Sequence, residues 1–233
     1  MNSIICTWSV KLPKGSIAVW PDGCRDLIAI IGKKQPLKVI CSGLDVSVRQ
    51  VVCTNETRFF GVRLTPGVTF PWERVDSEKM RMDVSLSQYL PACCQRWDFL
   101  VDHEVVFNEL IKQIESLTCS APNWVVDYLQ ELWTEEAGIC GSLSERSIRR
   151  NLVQATGAPP KFWQSLARAR KVGIEISRSD NGLASIAADY GFSDQAHMNR
   201  EIRRWFGCTP MMLRKNREQA MARLTAPNAF NGF

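Results

Sequence analysis

The stretch from Leu183 to Arg214, LASIAADYGFSDQAHMNREIRRWFGCTPMMLR, constrains this chain more than any other. Leu183, Ile186, Ala187 and Tyr190 recur at helical spacing and make one apolar stripe. Gly191 accepts the left-handed backbone of a helix end without steric cost, and Phe192 can then turn inward as an anchor. Ser193 is placed to cap the next helix, with Asp194 at its positive end. That helix is expected over about 194–206, with Met198, Ile202, Trp205 and Phe206 on its inner side. Gly207 stops it, and Thr209-Pro210 is a cap followed by proline at the first position of another helix.

The other faces of the second helix carry Gln195, Ala196, His197, Asn199, Arg200, Arg203 and Arg204. Glutamine and arginine can make paired hydrogen bonds to base edges in the major groove, and arginine also neutralises phosphates. A solvated surface helix would show the same polar face. It would not need the ordered succession of glycine, phenylalanine, cap, glycine and Thr-Pro.

That succession resembles the second helix-turn-helix of the AraC/XylS family of bacterial transcription regulators. The residues that carry the likeness are Ile186-Ala187, Gly191-Phe192, Asp194-Gln195-Ala196-His197, Arg200, Gly207, Thr209-Pro210 and Arg214. The resemblance implies a second unit upstream, and Leu143 to Trp163, LSERSIRRNLVQATGAPPKFW, suits it. Ser144 is a natural cap, Ile148 and Leu152 sit four apart, and Thr156-Gly157 ends the helix before Pro159-Pro160 starts the next. By resemblance, Arg146, Arg149 and Arg150 hold base- and phosphate-contacting positions. With Gln195, Ala196, His197, Asn199, Arg200 and Arg204 they form the expected DNA-binding set. The helix before this upstream unit is expected to be short, distorted or displaced toward Trp124 to Thr134, because Gly138 and Gly141 each cost about 1 kcal/mol in a helix interior. Between the units, Lys161 to about Ser177 reads as a helical strut spanning roughly 24 Å. It is suited to hold two helices in successive major grooves about 34 Å apart.

Charge divides along the same line. Residues 142–233 hold 15 Lys+Arg against 7 Asp+Glu, a net +8, whereas residues 1–141 hold 14 against 17, a net −3. The basic part coincides with the helix-turn-helix pattern, as phosphate binding requires. The N-terminus lacks the basic start and long apolar core of a signal peptide, and the longest apolar run, Leu27 to Ile31, is far short of a membrane span. A cytoplasmic protein with no membrane partner is expected.

Residues 1 to about 80 change character. Short runs rich in Val, Ile and Phe (Ile4 to Val10, Ser16 to Trp20, Asp26 to Ile31, Leu37 to Cys41, Val46 to Cys53, Thr57 to Leu64) are separated by turn signals such as Pro21-Asp22-Gly23 and Pro66-Gly67. Such spacing suggests an antiparallel barrel or sandwich. Trp20 to Ile28 and Phe60 to Gly67 resemble the small cupin-like barrel that senses effectors in one branch of the family. The fold expected is therefore α+β. An N-terminal antiparallel cupin-like β-barrel with trailing helices occupies residues 1–120. An all-α double helix-turn-helix domain occupies 121–220, and a loose tail occupies 221–233. Trp20, Cys24, Arg25, Arg63 and Trp72 are candidate effector-binding residues, each weighed against a plain core or rim role. Val84, Leu86, Leu90 and Cys94, then Val105, Leu110, Ile111, Ile114 and Leu117, supply apolar faces for helices over 83–118. These either pair two subunits as a homodimer or pack on their own barrel, with pairing favoured.

A metal-binding cupin enzyme needs clustered histidines and a carboxylate. The chain has two histidines, of which His197 lies in the DNA-reading helix and His103 outside the strands. No metal, cofactor or catalytic group is expected. Nine cysteines occur without ligand spacing, so most should be reduced and buried. The alternative function is a regulator sensing thiol oxidants or soft metals through Cys24, Cys41 and Cys53, if the strands bring them together. The resemblance implies double-stranded DNA, RNA polymerase and a small-molecule effector as partners, in the activation or repression of transcription.

Overall fold

The computed structural model describes residues 3–33, 35–74, 77–86, 97–134 and 144–230. Five strands form one antiparallel sheet in the order β1 (Ile4–Leu12), β6 (Thr57–Leu64), β3 (Arg25–Gly32), β4 (Lys38–Cys41) and β7 (Val84–Ser85). The remaining two, β2 (Gly15–Val19) and β5 (Arg49–Cys53), pair only with each other. Among the described residues the strands therefore make an open sheet and a separate ribbon, and the expected closed barrel is not formed. Closure needs an unbroken ring of strand pairs. Here both strands of the ribbon spend their paired edges on one another.

Alternation decides which side chains the sheet buries. Leu27, Ala29 and Ile31 of β3 and Phe60, Val62 and Leu64 of β6 point to one face. Val106, Leu110 and Ile114 of α1 (His103–Leu117) close that face into a core. Val106 takes the inner position that the sequence assigned to Val105, which is 52% exposed. On the opposite face the Trp8 indole lies so close over Gly61 that a side chain there would collide with its ring, and Trp8 Nε1–H donates to Asp26 (2.8 Å). The helix expected from residue 83 is corrected at its start. Val84 and Ser85 are a strand, because they pair with Cys41 and Ile40, while Leu90 and Cys94 lie outside the described residues.

The second core is helical. It is built from α2 (Asn123–Thr134), α3 (Glu145–Thr156), α4 (Pro160–Arg178), α5 (Leu183–Asp189), α6 (Gln195–Phe206), α7 (Pro210–Lys215) and α8 (Arg217–Thr225). Trp163, Leu166, Ala169, Val172 and Ile176 run down the inner face of α4, with Trp205 and Phe206 of α6 packed among them. Gly138 and Gly141 lie outside the described residues, and α2 covers Asn123–Thr134.

The tail is also corrected. The expected loose segment is helical to Thr225 and then buries Asn228, Ala229 and Phe230. Phe230 stacks on Trp133 (5.6 Å, 12°) and meets Trp163 edge-on. The Ala229 amide donates to the Asp22 carbonyl (3.0 Å), which ties this segment to the Pro21-Asp22-Gly23 turn. Gly23 has a φ of 79°, and a Cβ there would lie 2.7 Å from Ala229, so the turn requires glycine for both its conformation and this approach.

Candidate nucleic-acid interface

The local chemistry that shapes α6 runs from Gly191 to Pro210. Gly191 adopts a φ of 69°, which lets the Phe192 amide donate back to the Ala187 carbonyl (2.9 Å) and swings the Phe192 ring into the core. Asp194, rather than Ser193, is the cap: its carboxylate accepts from the His197 amide (2.6 Å). That bond holds the Asp194 carboxyl below its usual range, helped by nearby Arg200. Met198, Ile202, Trp205 and Phe206 bury one face, and Gly207 ends the helix at a φ of 67°. Thr209 then accepts from the Met212 amide (3.2 Å) with Pro210 at the first position of α7.

Gln195, Ala196, Arg200, Arg203 and Arg204 are exposed on the far side of α6. His197 is half-buried, sharing a hydrogen bond with Ser193 Oγ (3.1 Å) and meeting the Phe192 ring edge-on. Asn199 is also half-buried, and its Oδ1 is shielded from solvent without a hydrogen-bond partner among the described residues. Arg204 is drawn sideways, 3.6 Å from Glu201 and over the Trp205 ring. On α3, Ser144 caps the helix by accepting from the Ser147 amide, and Gly157 ends it at a φ of 74°. Leu152 faces inward, while Arg146, Arg149 and Arg150 are exposed and form no hydrogen bond or ion pair with described residues.

Glu201 fixes the angle of α6. It accepts from Ser165 of α4 (2.6 Å) and from Trp205 Nε1–H (3.1 Å). Burial alone would raise its pKa, but these bonds and Arg204 outweigh it, and the carboxyl titrates below its usual range. Arg168 of α4 lies over the Phe192 ring (4.5 Å) and donates to the Gly191 carbonyl (3.2 Å), bracing the turn between α5 and α6. Arg214 donates to the Ile176 carbonyl in the last turn of α4 (3.4 Å) and to the Asn181 carbonyl in the turn that follows (2.7 Å).

Comparison with known proteins agrees with this arrangement. Residues 141–216 match the family profile described as a helix-turn-helix domain. The HTH-type transcriptional activator RhaS of Klebsiella pneumoniae (strain 342) is 33% identical over 96 residues, covering 41% of this chain and 34% of that protein. RhaS of Escherichia fergusonii is 31% identical over 99 residues, covering 42% and 36%. The match is confined to the helix-turn-helix region, where the chain is similar to HTH-type transcriptional activators. It spans about a third of the length of these curated relatives. ToxT from Vibrio cholerae O395 overlays with a TM-score of 0.42 at 11% identity, covering 95% of this chain and 98% of that one.

The five candidate effector residues each make internal contacts among the described residues. Trp20 packs on Phe206 (4.9 Å) beneath Arg223. Arg25 is buried in a two-pronged pair with Glu73 (3.0 and 2.5 Å). Arg63 is held by Asp22 (2.8 Å) and Asp26 (3.0 Å), and Trp72 stacks on Phe70 (4.8 Å). Cys24 is buried, and burial pushes its thiol well above the ordinary range. Arg25 borders a cleft between Gly23, Thr65 and Trp163, with about 10 Å³ of free volume.

The cysteine alternative is corrected. Cys24 belongs to the helical core and Cys41 to the sheet core, so the strands do not bring them together. Burial pushes the Cys41 thiol up to about 12. Among the described residues no three His, Cys, Asp or Glu side chains are grouped to hold a metal ion. No helix among them is long and apolar enough to cross a membrane.

Sequence reasoning missed Arg170, which is 1% exposed and donates to the carbonyls of Pro21 (3.1 Å) and Leu224 (2.6 Å). Its spacing four after Leu166 was the available signal. It also missed Arg81, whose Nε–H donates to the Gly157 carbonyl (2.8 Å), because the two are 76 positions apart.

Proposed function

We propose that the chain is a sequence-specific DNA-binding transcription regulator, acting as an activator like the relatives it matches. Its two helix-turn-helix units would be α2–α3 and α5–α6, with α4 as the rod between them. Nineteen residues of α4 give about 28 Å, close to the spacing of successive major grooves, about 34 Å. The observation that carries this reading is the set of outward side chains without hydrogen-bond or ion-pair partners among the described residues: Arg146, Arg149 and Arg150 on α3, and Gln195 and Arg203 on α6. Arg200 and Arg204 extend the α6 face. Uncompensated cations beside a glutamine suit phosphate and base-edge contacts better than internal support. His197 and Asn199 border that face and orient the helix more than they read sequence.

In this reading residues 1–120 form the sensory domain and 121–220 the DNA-binding domain, with the segment after 220 closing against both. A small-molecule effector acts by shifting the population of the docked arrangement. RNA polymerase and a second copy of the chain are the protein partners, no catalytic step is involved, and the protein works in the cytoplasm.

The test is binding to duplexes recovered by genome-wide mapping of occupied sites. Arg200→Ala and Arg150→Ala each weaken anisotropy-measured binding at fixed salt by about 1–3 kcal/mol, with specificity relaxed at one base pair. Unchanged affinity in both variants removes the assignment.

A further inference from the structure

A second cationic feature lies beside the face already described. The side of α6 that carries His197, Glu201 and Arg204 forms one wall of a groove of about 850 Å³. Lys161 and Arg168 of α4 line its floor, Pro159 closes the end nearest α3, and Val46 and Arg81 from the amino-terminal half form part of the lining. The walls are held together by direct contacts. Arg81 Nε–H bonds the carbonyl of Gly157, the residue that ends α3. Val48 packs where Gly207 ends α6, at a distance that leaves 3.1 Å for a Cβ.

The charge in this groove is one-sided. Arg81, Lys161, Arg168 and Arg204 all border it, against the single carboxylate of Glu201. That carboxylate is already engaged by Ser165, Trp205 and Arg204. Lys161 is exposed and bonds to no described residue, and among the described residues Arg81 is engaged through its Nε alone. The groove continues directly into the outward face of α6, since Arg204 and His197 belong to both.

We infer that this groove takes the phosphodiester backbone of the duplex between the two major grooves, and that Arg81 of the amino-terminal half supplies one of its phosphate contacts. The inference rests on the DNA-binding reading and extends it. A polyanion suits a groove with four cations and one spoken-for acid. Its continuity with α6 places the same strand against both surfaces. The docked amino-terminal half then completes the DNA surface, although the net charge of that half is negative.

The experiment measures binding of the full-length chain to a mixed-sequence duplex of about 40 base pairs, roughly four helical turns, across a salt series. Each phosphate contact contributes about 0.9 to the slope of log affinity against log salt. Arg81→Gln and Lys161→Gln each reduce that slope by about one, and the double variant by about two. Lys112→Gln, at an exposed position of α1, leaves it unchanged. Arg81→Gln is checked by thermal melting and near-ultraviolet circular dichroism, and Lys161→Gln loses no bond to a described residue. Unchanged slopes in both glutamine variants, with the wild type still binding in a salt-dependent way, overturn the groove and leave the DNA reading intact. A reduced slope for Lys161→Gln alone overturns the part assigned to Arg81. A wild-type chain that shows no salt-dependent binding overturns both readings.

Discussion

Arg63 Nη1–H donates to the carbonyl of Pro227 at 2.6 Å, across 164 positions of chain. The same guanidinium is held by Asp22 and Asp26, so one side chain of β6 gathers the glycine turn, the sheet and the end of the chain. Beside it Arg170 donates to the Pro21 carbonyl from α4. The two halves are thus joined through charged groups withdrawn from water, where removing one partner leaves the others uncompensated.

Arg63→Met should therefore destabilise the chain in a pH-dependent way. Burial raises the Asp22 pKa and Arg63 opposes that rise. Without Arg63 the Asp22 carboxyl climbs further, and the folded state holds its proton more tightly than the unfolded state. The loss of stability is then largest at neutral pH and shrinks as pH falls through the raised pKa. Thermal melts between pH 5 and pH 7, roughly the span over which most folded proteins are stable, check this. A deficit of equal size throughout would show that Arg63 acts through packing alone.

Phe230→Ala removes a ring that is 2% exposed and stacked on Trp133. Truncations of this kind cost about 3 kcal/mol or more. Urea denaturation should show a lower midpoint with an unchanged slope. No change in the midpoint would mean that the end of the chain contributes nothing to the fold.

Glu201→Gln tests how α6 is held. The Glu201 pKa is lowered in the folded state, so the ionised carboxyl contributes stability above its unfolded pKa of about 4.3. That contribution is lost as pH falls through the folded value. The variant should melt below the wild type at neutral pH, with the gap closing in acid below about pH 4. A gap that widens in acid would contradict the hydrogen-bond assignment to Ser165 and Trp205.

Cys24 and Cys41 should resist alkylation in the folded chain. Both thiols are buried and titrate above their ordinary range, and the thiolate is the reactive form. Mass spectrometry after iodoacetamide treatment near pH 8, just below an ordinary thiol pKa of about 8.5, should find them modified only once urea is added. Fast modification of either in the native chain would reopen thiol sensing.

The segment from Leu183 to Pro210 is legible in its residues alone, because its instructions are local. Gly191, Asp194, Gly207 and Thr209-Pro210 set helix ends within a few residues, and the spacing of Met198, Ile202 and Trp205 names the inner face. The strands from Ile4 to Leu64 were legible for the same reason, since alternation is a two-residue property. Long-range packing alone sets β2 and β5 apart from the main sheet and lays Val84 and Ser85 beside β4 as a further strand. It also decided that Phe230 is core, Arg170 is buried and Arg81 reaches Gly157. Each of these depends on partners tens of residues or more away, and no local periodicity or cap encodes where a distant surface will be.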